Sequence, residues 1–543
     1  MKRRLVVISA SVLLTFVVFS ARPSPSLQAT TGEPDEALRT FNQLLVLVEE
    51  NYVDEVDSKD LVYGAIRGIL NKLDPHCTFL DPESYREMQE EQQGSFSGLG
   101  IVISLRGSDK ELTVISPIEG TPAYRAGIRA GDVIAAIEGE ATDGISMDDA
   151  LKKLRGAKGT PVTITIRREG VAAPYQHTLL RDDIPTVSVP YSFMIQPTVG
   201  YIRIKNFTQT TDSELDDRIS ELRSQGMDKL ILDLRWNPGG LLDQAVKVSD
   251  KFLQPRDMIV YTKGRQRGSD QEFRSTRSAA SDALPMVILV NKGSASASEI
   301  VAGAIQDHDR GIIVGETTWG KGLVQTVYRL SHSAGIALTT AKYYTPSGRM
   351  IQRDYKDSLE DYYSGEVKVE EDQREARYTD SGRKVLGGGG ISPDVVVSLD
   401  KATRLEQAIE RRGYFFEFGV HYLAGHPKPA TTDFQADEKV LASFREFLAG
   451  RELEYTPEEW DESIDYIRTM IRAEVIGATF DLQERQKVIT AHDKQVLKAL
   501  EILPAAERMP ITALNIDGLQ PAGGDGIADT DQKAGSNIEN RKQ

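Results

Sequence analysis

Met286-Val-Ile-Leu-Val290 runs directly into Asn291-Lys-Gly-Ser-Ala-Ser-Ala-Ser-Glu-Ile300, and Val301 to Ile305 stays apolar. An unbroken, β-branched apolar run of this length reads as a strand buried on both faces. Gly293 to Ser298 is small and turn-like, and Ile300 to Ile305 opens a helix. A strand, a tight turn and a helix in that order place a serine hydroxyl at a helix N-terminus. Unpaired N–H groups and the helix dipole there can stabilise a developing oxyanion. Ser296-x-x-Glu299 is also the pattern of a capping box, which contributes about 1 kcal/mol to a helix. This stretch alone leaves both readings open.

The same alternation extends on either side. Leu230 to Leu234 is an apolar strand carrying Asp233. Asn237-Pro-Gly-Gly240 is a turn, and Leu241 to Leu253 is a helix. From Val199 onward the chain therefore predicts a sheet covered by helices, assigned to residues 183–400. Residues 95–182 change character. Ile101 to Leu105, Leu112 to Ile115, Val133 to Ile137 and Val162 to Arg167 read as short strands, and Met147 to Leu154 as a helix. Before them, residues 35–94 form a helical module. Leu38, Phe41, Leu45, Val48 and Tyr52 mark one helix face, and Val62, Ile66, Ile69 and Leu73 another. Residues 354–390 are acidic and end in four glycines, an insertion loop. Residues 401–515 are a helical extension with three helices between 434 and 502, and 516–543 a disordered tail.

Lys2, Arg3 and Arg4 precede the apolar run Leu5 to Ala21, and Leu27-Gln-Ala29 fits a cleavage site. Residues 1–29 thus read as a signal peptide or retained anchor, and the protein as exported, periplasmic or held at the cell envelope. The net charge of -16 excludes a nucleic-acid partner. The single cysteine, Cys77, excludes an intrachain disulfide. No metal-ligand spacing stands out, so no metal and no other cofactor is expected.

A serine hydroxyl needs a base. Gly320-Lys-Gly322 supplies a lysine between glycines, with Gln325 four residues on. On a strand, Lys321 and Gln325 share a face. A lysine serves as base only when neutral, and an apolar site lowers its pKa. Gln325 can bond the amine without adding charge. The alternative base, His308, lies about three turns into the helix, roughly 15 Å from its start, and cannot reach Ser296.

These pieces, with Leu73-Asp-Pro-His76, Ser97-Gly-Leu-Gly-Ile101, Ala130-Gly-Asp-Val-Ile134, Leu154-Arg-Gly-Ala-Lys-Gly-Thr160, Leu232-Asp-Leu-Arg-Trp-Asn-Pro-Gly-Gly240, Tyr344-Thr-Pro-Ser-Gly-Arg349 and Ile391-Ser-Pro-Asp394, stand in one order. In that order the chain resembles the carboxyl-terminal processing proteases, also called tail-specific proteases, of peptidase family S41. The resemblance covers about residues 38–398. It implies a multidomain α/β protein: N-terminal helical module, PDZ domain at 95–182, Ser/Lys protease core and C-terminal helical extension. It implies Ser296 as nucleophile, Lys321 as base and Gln325 as its support. The oxyanion donors would be the backbone N–H of Ala297 and that of Gly239 or Gly240. In the PDZ domain, Leu99, Gly100 and Ile101 would offer N–H groups to a substrate's terminal carboxylate. Arg155 is the candidate side chain for that site and for its coupling to the protease. Expected partners are protein or peptide substrates with free apolar C-termini. The helical ends are where self-association or an adaptor would act. Ser294 and Ser298 are bystanders to the chemistry in this reading, as are the 354–390 loop and the helices past 400. A non-catalytic PDZ-type binding or assembly protein on the same scaffold is the competing reading. It leaves Ser296, Lys321 and Gln325 idle.

Overall fold

The computed structural model describes residues 33–107, 109–276, 284–355, 362 and 374–507. The expected leader at 1–29 and the tail from 516 lie outside these residues. The chain divides into two units, Met1–Asp74 and Pro75–Gln543.

The first unit holds α1 (Glu33–Asn51) and α2 (Ser58–Asn71), the latter capped by Asp57 accepting from the Lys59 N–H at 2.7 Å. Along α1 the expected stripe is half-buried at Phe41, Leu45 and Val48 and exposed at its ends, Leu38 and Tyr52. In α2 the buried face is displaced from the expected one. Leu70 is 6% exposed, whereas Ile69 is 66% and Leu73 56% exposed. Val62, Ile66 and Leu70 repeat every four residues and form one stripe. Ile69 sits beside that stripe, and Leu73 lies past the end of the helix.

The second unit begins with β1 (Thr78–Leu80), α3 (Pro82–Gln93) and β2 (Ser95–Gly98). Then come β3 (Ile101–Arg106), β4 (Glu111–Pro117), α4 (Pro122–Arg125), β5 (Val133–Ile137), β6 (Glu140–Ala141), α5 (Met147–Leu154), β7 (Pro161–Arg167), β8 (Tyr175–Leu180) and β9 (Asp182–Pro185). The antiparallel sheet runs β3-β4-β5-β7-β8, with β6 on β5 and β3 at the edge. In β7, Val162, Ile164 and Ile166 are buried and their neighbours are not, the period-two signature of a strand with one wet face. They pack with Leu112, Val114, Ile134 and Leu154. β2 and β9 pair antiparallel, so the chain enters and leaves this small domain as one ribbon.

The core follows: β10 (Tyr191–Gln196), β11 (Val199–Arg203), α6 (Thr211–Ser224), β12 (Lys229–Asp233), α7 (Leu242–Asp250), β13 (Met258–Gly264), β14 (Gln271–Arg274), β15 (Met286–Val290), α8 (Ala297–Asp307), β16 (Ile312–Gly315), β17 (Leu323–Arg329), β18 (Gly335–Tyr344), β19 (Ala376–Tyr378), β20 (Lys384–Leu386) and β21 (Val395–Val396). Six strands form one sheet, β10-β11-β12-β15-β16-β21, parallel except for β10. Every residue of β15 is buried, which accounts for its unbroken apolar run. α7 and α8 cover one face through Ala245, Val248, Ile300 and Val301. β18 is the hub of a second sheet, joined by β1, β13 and β17. The described part of 354–390 is anchored rather than free. β19 pairs with β20, and the buried Tyr362 places its hydroxyl 2.7 Å from His76 Nε2.

Helices α9 (Arg404–Arg412), α10 (Tyr414–Gly425), α11 (Glu438–Ala449), α12 (Pro457–Thr479), α13 (Leu482–Thr490) and α14 (Lys494–Ala506) complete the unit. Four of them, not three, fall between 434 and 506. α9 to α12 enclose a core of their own around Phe418, Phe444, Trp460 and Ile467. α10 lies against the small β domain. Val420 methyls fill the space a side chain on Gly131 would need, and His421 Nδ1 is 3.0 Å from Glu169. A cleft of about 820 Å³ runs between them. α14 does something different: Val496, Ala499, Ile502 and Leu503 cover the second face of the six-stranded sheet, on Tyr201, Ile231, Leu289 and Val314.

Candidate active site

The three serines of Ser294-Ala-Ser-Ala-Ser298 have different environments. Ser294 and Ser298 are fully buried, and their hydroxyls donate to the carbonyls of Leu234 (2.8 Å) and Asn237 (2.9 Å). They fasten the Leu234–Gly240 turn to the start of α8, a role the sequence reading did not give them. Ser296 lies between them, half-exposed, at φ +54° and ψ -112°. A non-glycine residue held at such angles is strained and needs its surroundings to over-determine it.

The surroundings are Glu299 and Tyr343. The Glu299 carboxylate is fully buried. Its Oε2 accepts from the backbone N–H of Ser296 (2.7 Å) and of Lys321 (2.9 Å). Its Oε1 accepts from the Gly320 N–H (2.7 Å) and the Thr318 hydroxyl (2.5 Å). One carboxylate therefore ties two loops that are distant in sequence. The Tyr343 hydroxyl repeats the tie, shared between the carbonyls of Ser296 (3.1 Å) and Lys321. Burial pushes the Glu299 carboxyl up to about 7, against the pull of its four donors. Glu299 was visible in the sequence only as half of a capping box. Its link to the lysine loop is a tertiary contact with no local signature.

Lys321 precedes β17, and its Nζ donates to Gln325 Oε1 at 3.0 Å. The pair meets even though a bulge falls between Val324 and Gln325. The Gln325 amide donates its other end to the carbonyl of His76. That contact fixes the amide so that its oxygen, not its nitrogen, faces the lysine.

Gly239 packs against the serine. A Cβ there would lie 2.8 Å from Ser296 Cβ and 2.9 Å from Ala297 N. Its own N–H donates to Asn237 Oδ1 at 2.9 Å. Among the described residues, the N–H groups of Gly240 and Ala297 have no acceptor. His308 is the C-cap of α8, with Nδ1 2.7 Å from Asp380 and Nε2 2.7 Å from the Met258 carbonyl. Both its ring nitrogens are engaged, at the far end of the helix from Ser296.

In the small domain, Gly100 has φ +76°, and a Cβ there would collide with Thr121 at 2.3 Å. Its carbonyl and that of Leu99 accept from Ile118 and Ala123. Among the described residues the N–H groups of Leu99 and Gly100 have no acceptor, and Ile101 starts the edge strand β3. The loop is thus a cradle of outward donors beside an open sheet edge. Arg155 lies beside the start of that loop, its Cγ 3.9 Å from where a Cβ on Gly98 would sit. It ends α5 with its guanidinium 4.7 Å from the Phe96 ring, on the β2–β9 ribbon. Among the described residues no group of His, Cys, Asp or Glu could hold a metal ion.

An edge-open PDZ domain on a ribbon, carried by an α/β core with a strained serine at a helix start, defines a PDZ-bearing serine-type peptidase. Comparison with known proteins gives the family. Residues 198–358 match peptidase family S41, residues 113–168 a PDZ domain, and residues 19–84 the N-terminal domain of the activating protease CtpB. A carboxy-terminal-processing protease of Bartonella bacilliformis is 42% identical over 397 residues, covering 72% of this chain and 80% of that one. A carboxyl-terminal-processing protease of Synechocystis is 40% identical over 320 residues, covering 58% and 74%. A solved structure of a photosystem II D1 C-terminal processing protease is 32% identical, covering 59% and 91%, with a TM-score of 0.34. The chain belongs to the carboxy-terminal-processing proteases of peptidase family S41.

Proposed function

We propose that this protein is an exported endopeptidase that catches a polypeptide by its free C-terminus and cleaves it with Ser296 and Lys321. The observation that carries the reading is the Glu299 carboxylate, which accepts from the N–H of Ser296 and of Lys321 at once. Such a tie has no use in a plain capping box, and a nucleophile and base need a fixed spacing. In this reading Lys321, neutral, takes the proton of the Ser296 hydroxyl as its oxygen attacks the scissile carbonyl. The oxyanion is met by the N–H groups of Ala297 and Gly240. Lys321 then protonates the leaving amine, and water attacks the acyl-enzyme by the same route in reverse. The substrate tail adds to the edge of β3, its carboxylate on the donors of Leu99, Gly100 and Ile101. In this reading Arg155 couples the position of the PDZ domain to the ribbon that holds it, supported by its guanidinium lying 4.7 Å from the Phe96 ring. The basic and apolar start of the chain supports export to the periplasm or envelope.

The test is hydrolysis of an unfolded protein by Ser296→Ala, by Lys321→Ala and by the double variant. Each single change is expected to remove nearly all turnover, and the double to be no worse, because the two groups act as a unit. Turnover near the wild-type rate in Ser296→Ala would sink the assignment.

A further inference from the structure

Three residues of the Leu234–Gly240 turn have left-handed backbones: Trp236 at φ +59°, Gly239 at +103° and Gly240 at +141°. The glycines take such angles freely, but Trp236 is strained there and holds its conformation only if it is braced from outside. From the front the turn is braced by Ser294 and Ser298. From behind it is braced by Arg235, which is 8% exposed. The Arg235 Nε and Nη2 close a fork on the Asp233 carboxylate, with Nη2 at 2.7 Å. Asp233 is fully buried and also takes the Tyr201 hydroxyl at 2.7 Å. The remaining arm, Nη1, reaches out of the sheet to α14: Asp493 Oδ2 at 2.7 Å and Gln495 Oε1 at 2.8 Å. Neither acceptor is adjustable. The other oxygen of Asp493 caps α14, accepting from the N–H groups of Gln495 and Val496. Gln495, fully buried, spends its amide nitrogen on the Val397 carbonyl at 2.7 Å. A planar guanidinium with every arm in a fixed fork has one orientation, and the next residue in the chain is Trp236.

We propose that α14 belongs to the catalytic apparatus: Asp493 and Gln495 are positioning residues that, through Arg235, set the turn supplying Gly240 to the oxyanion site. Neither touches substrate. The proposal rests on the Ser296 reading and extends it to a helix about 200 residues downstream of the nucleophile. The sequence reading had placed every helix past 400 outside the chemistry.

The experiment separates the cap from the brace. Asparagine caps a helix as well as aspartate does, but in Asp493→Asn the capping oxygen leaves an NH₂ facing the Arg235 arm. Asp493→Ser also keeps the cap and cannot span the gap. In the full chain, each is expected to lower kcat on a short peptide about tenfold or more, with KM within about twofold and thermal midpoint little changed. Affinity for a peptide boronate, whose tetrahedral adduct occupies the oxyanion site, should fall by a similar factor. A merely structural role would move the thermal midpoint and leave kcat and boronate affinity of the folded enzyme alone, and that result overturns the proposal. Ser296→Ala is measured alongside. If it is dead while Asp493→Asn and Asp493→Ser keep full kcat, the proposal alone falls. If it still turns over, the nucleophile assignment falls and takes the proposal with it.

Discussion

At the scale of single residues the site depends on the ionisation of Glu299. All four of its partners are donors toward it, so only the carboxylate satisfies them. A neutral carboxyl would turn an O–H toward an N–H. With the group raised to about 7, activity is expected to rise through about pH 7 before any limb set by Lys321. The sign for stability is opposite. A carboxyl that ionises less readily folded than unfolded contributes stability in full below about 4.5 and loses it as pH rises through about 7. The form that aligns the site is the form that costs folding energy. In Glu299→Gln the amide nitrogen can face Thr318, whose hydroxyl turns to accept, but the Gly320 N–H is then orphaned, at about 1–3 kcal/mol. That variant should lose the limb near pH 7 and roughly tenfold or more in kcat. A pH–rate profile unchanged from wild type would rule out the clamp. Ser296 and Lys321 stand out in the sequence because Gly-Lys-Gly and a serine run are local patterns. Glu299 was legible only in part, since a capping box predicts one of its four bonds and none of those to the lysine loop.

At the scale of elements, most of the small domain was legible. The strand at Val133–Ile137 and the helix at Met147–Leu154 fall where alternation and periodicity put them. In α2, periodicity alone does not choose the buried face. Val62, Ile66, Ile69 and Leu73 also fit a helical period, and only packing decides that Leu70 is the residue turned inward. The Gly98–Ile101 loop was read from its glycines, and the geometry explains the second of them. Gly100→Ala would force a left-handed backbone on a residue that resists it, by about 1–2 kcal/mol, and drive its methyl into Thr121. The expected result is a folded enzyme that cleaves short peptides normally. It should no longer distinguish an unfolded substrate with a free C-terminus from the same substrate amidated. A surviving preference for the free end would remove this loop from substrate capture.

At the scale of the whole molecule, the second unit holds its PDZ domain at two places, the β2–β9 ribbon and the face of α10. The ends of the ribbon were read as the limits of the domain, 95–182, though not as a pair. The second place could not be read, because nothing local marks Gly131 and Val420 as neighbours. Val420→Asp would put a charge where its methyls now cover Gly131 and should release the PDZ domain from the helical extension. Faster amide exchange in β4 and β5, with β15 and α8 unaffected, is the expected signature. Exchange unchanged in β4 and β5 would mean that α10 does not restrain them. α14 was misread for a related reason. As a sequence it resembles its helical neighbours α11 to α13, and only the sheet it covers separates it from them.

The bond from Arg235 to Asp493 spans 258 positions, and that span sets a clock. A ribosome adds roughly 5–20 residues per second. Between making Ser296 and making Asp493 it must add 493 − 296 = 197 residues, about 10 to 40 seconds of synthesis at that pace. Throughout that interval the nascent chain carries its serine, its lysine, its glycine turn and the Arg235–Asp233 pair, but not the α14 half of the brace. On the proposed role of α14, full turnover is reached only once that helix has been made and has packed on the sheet.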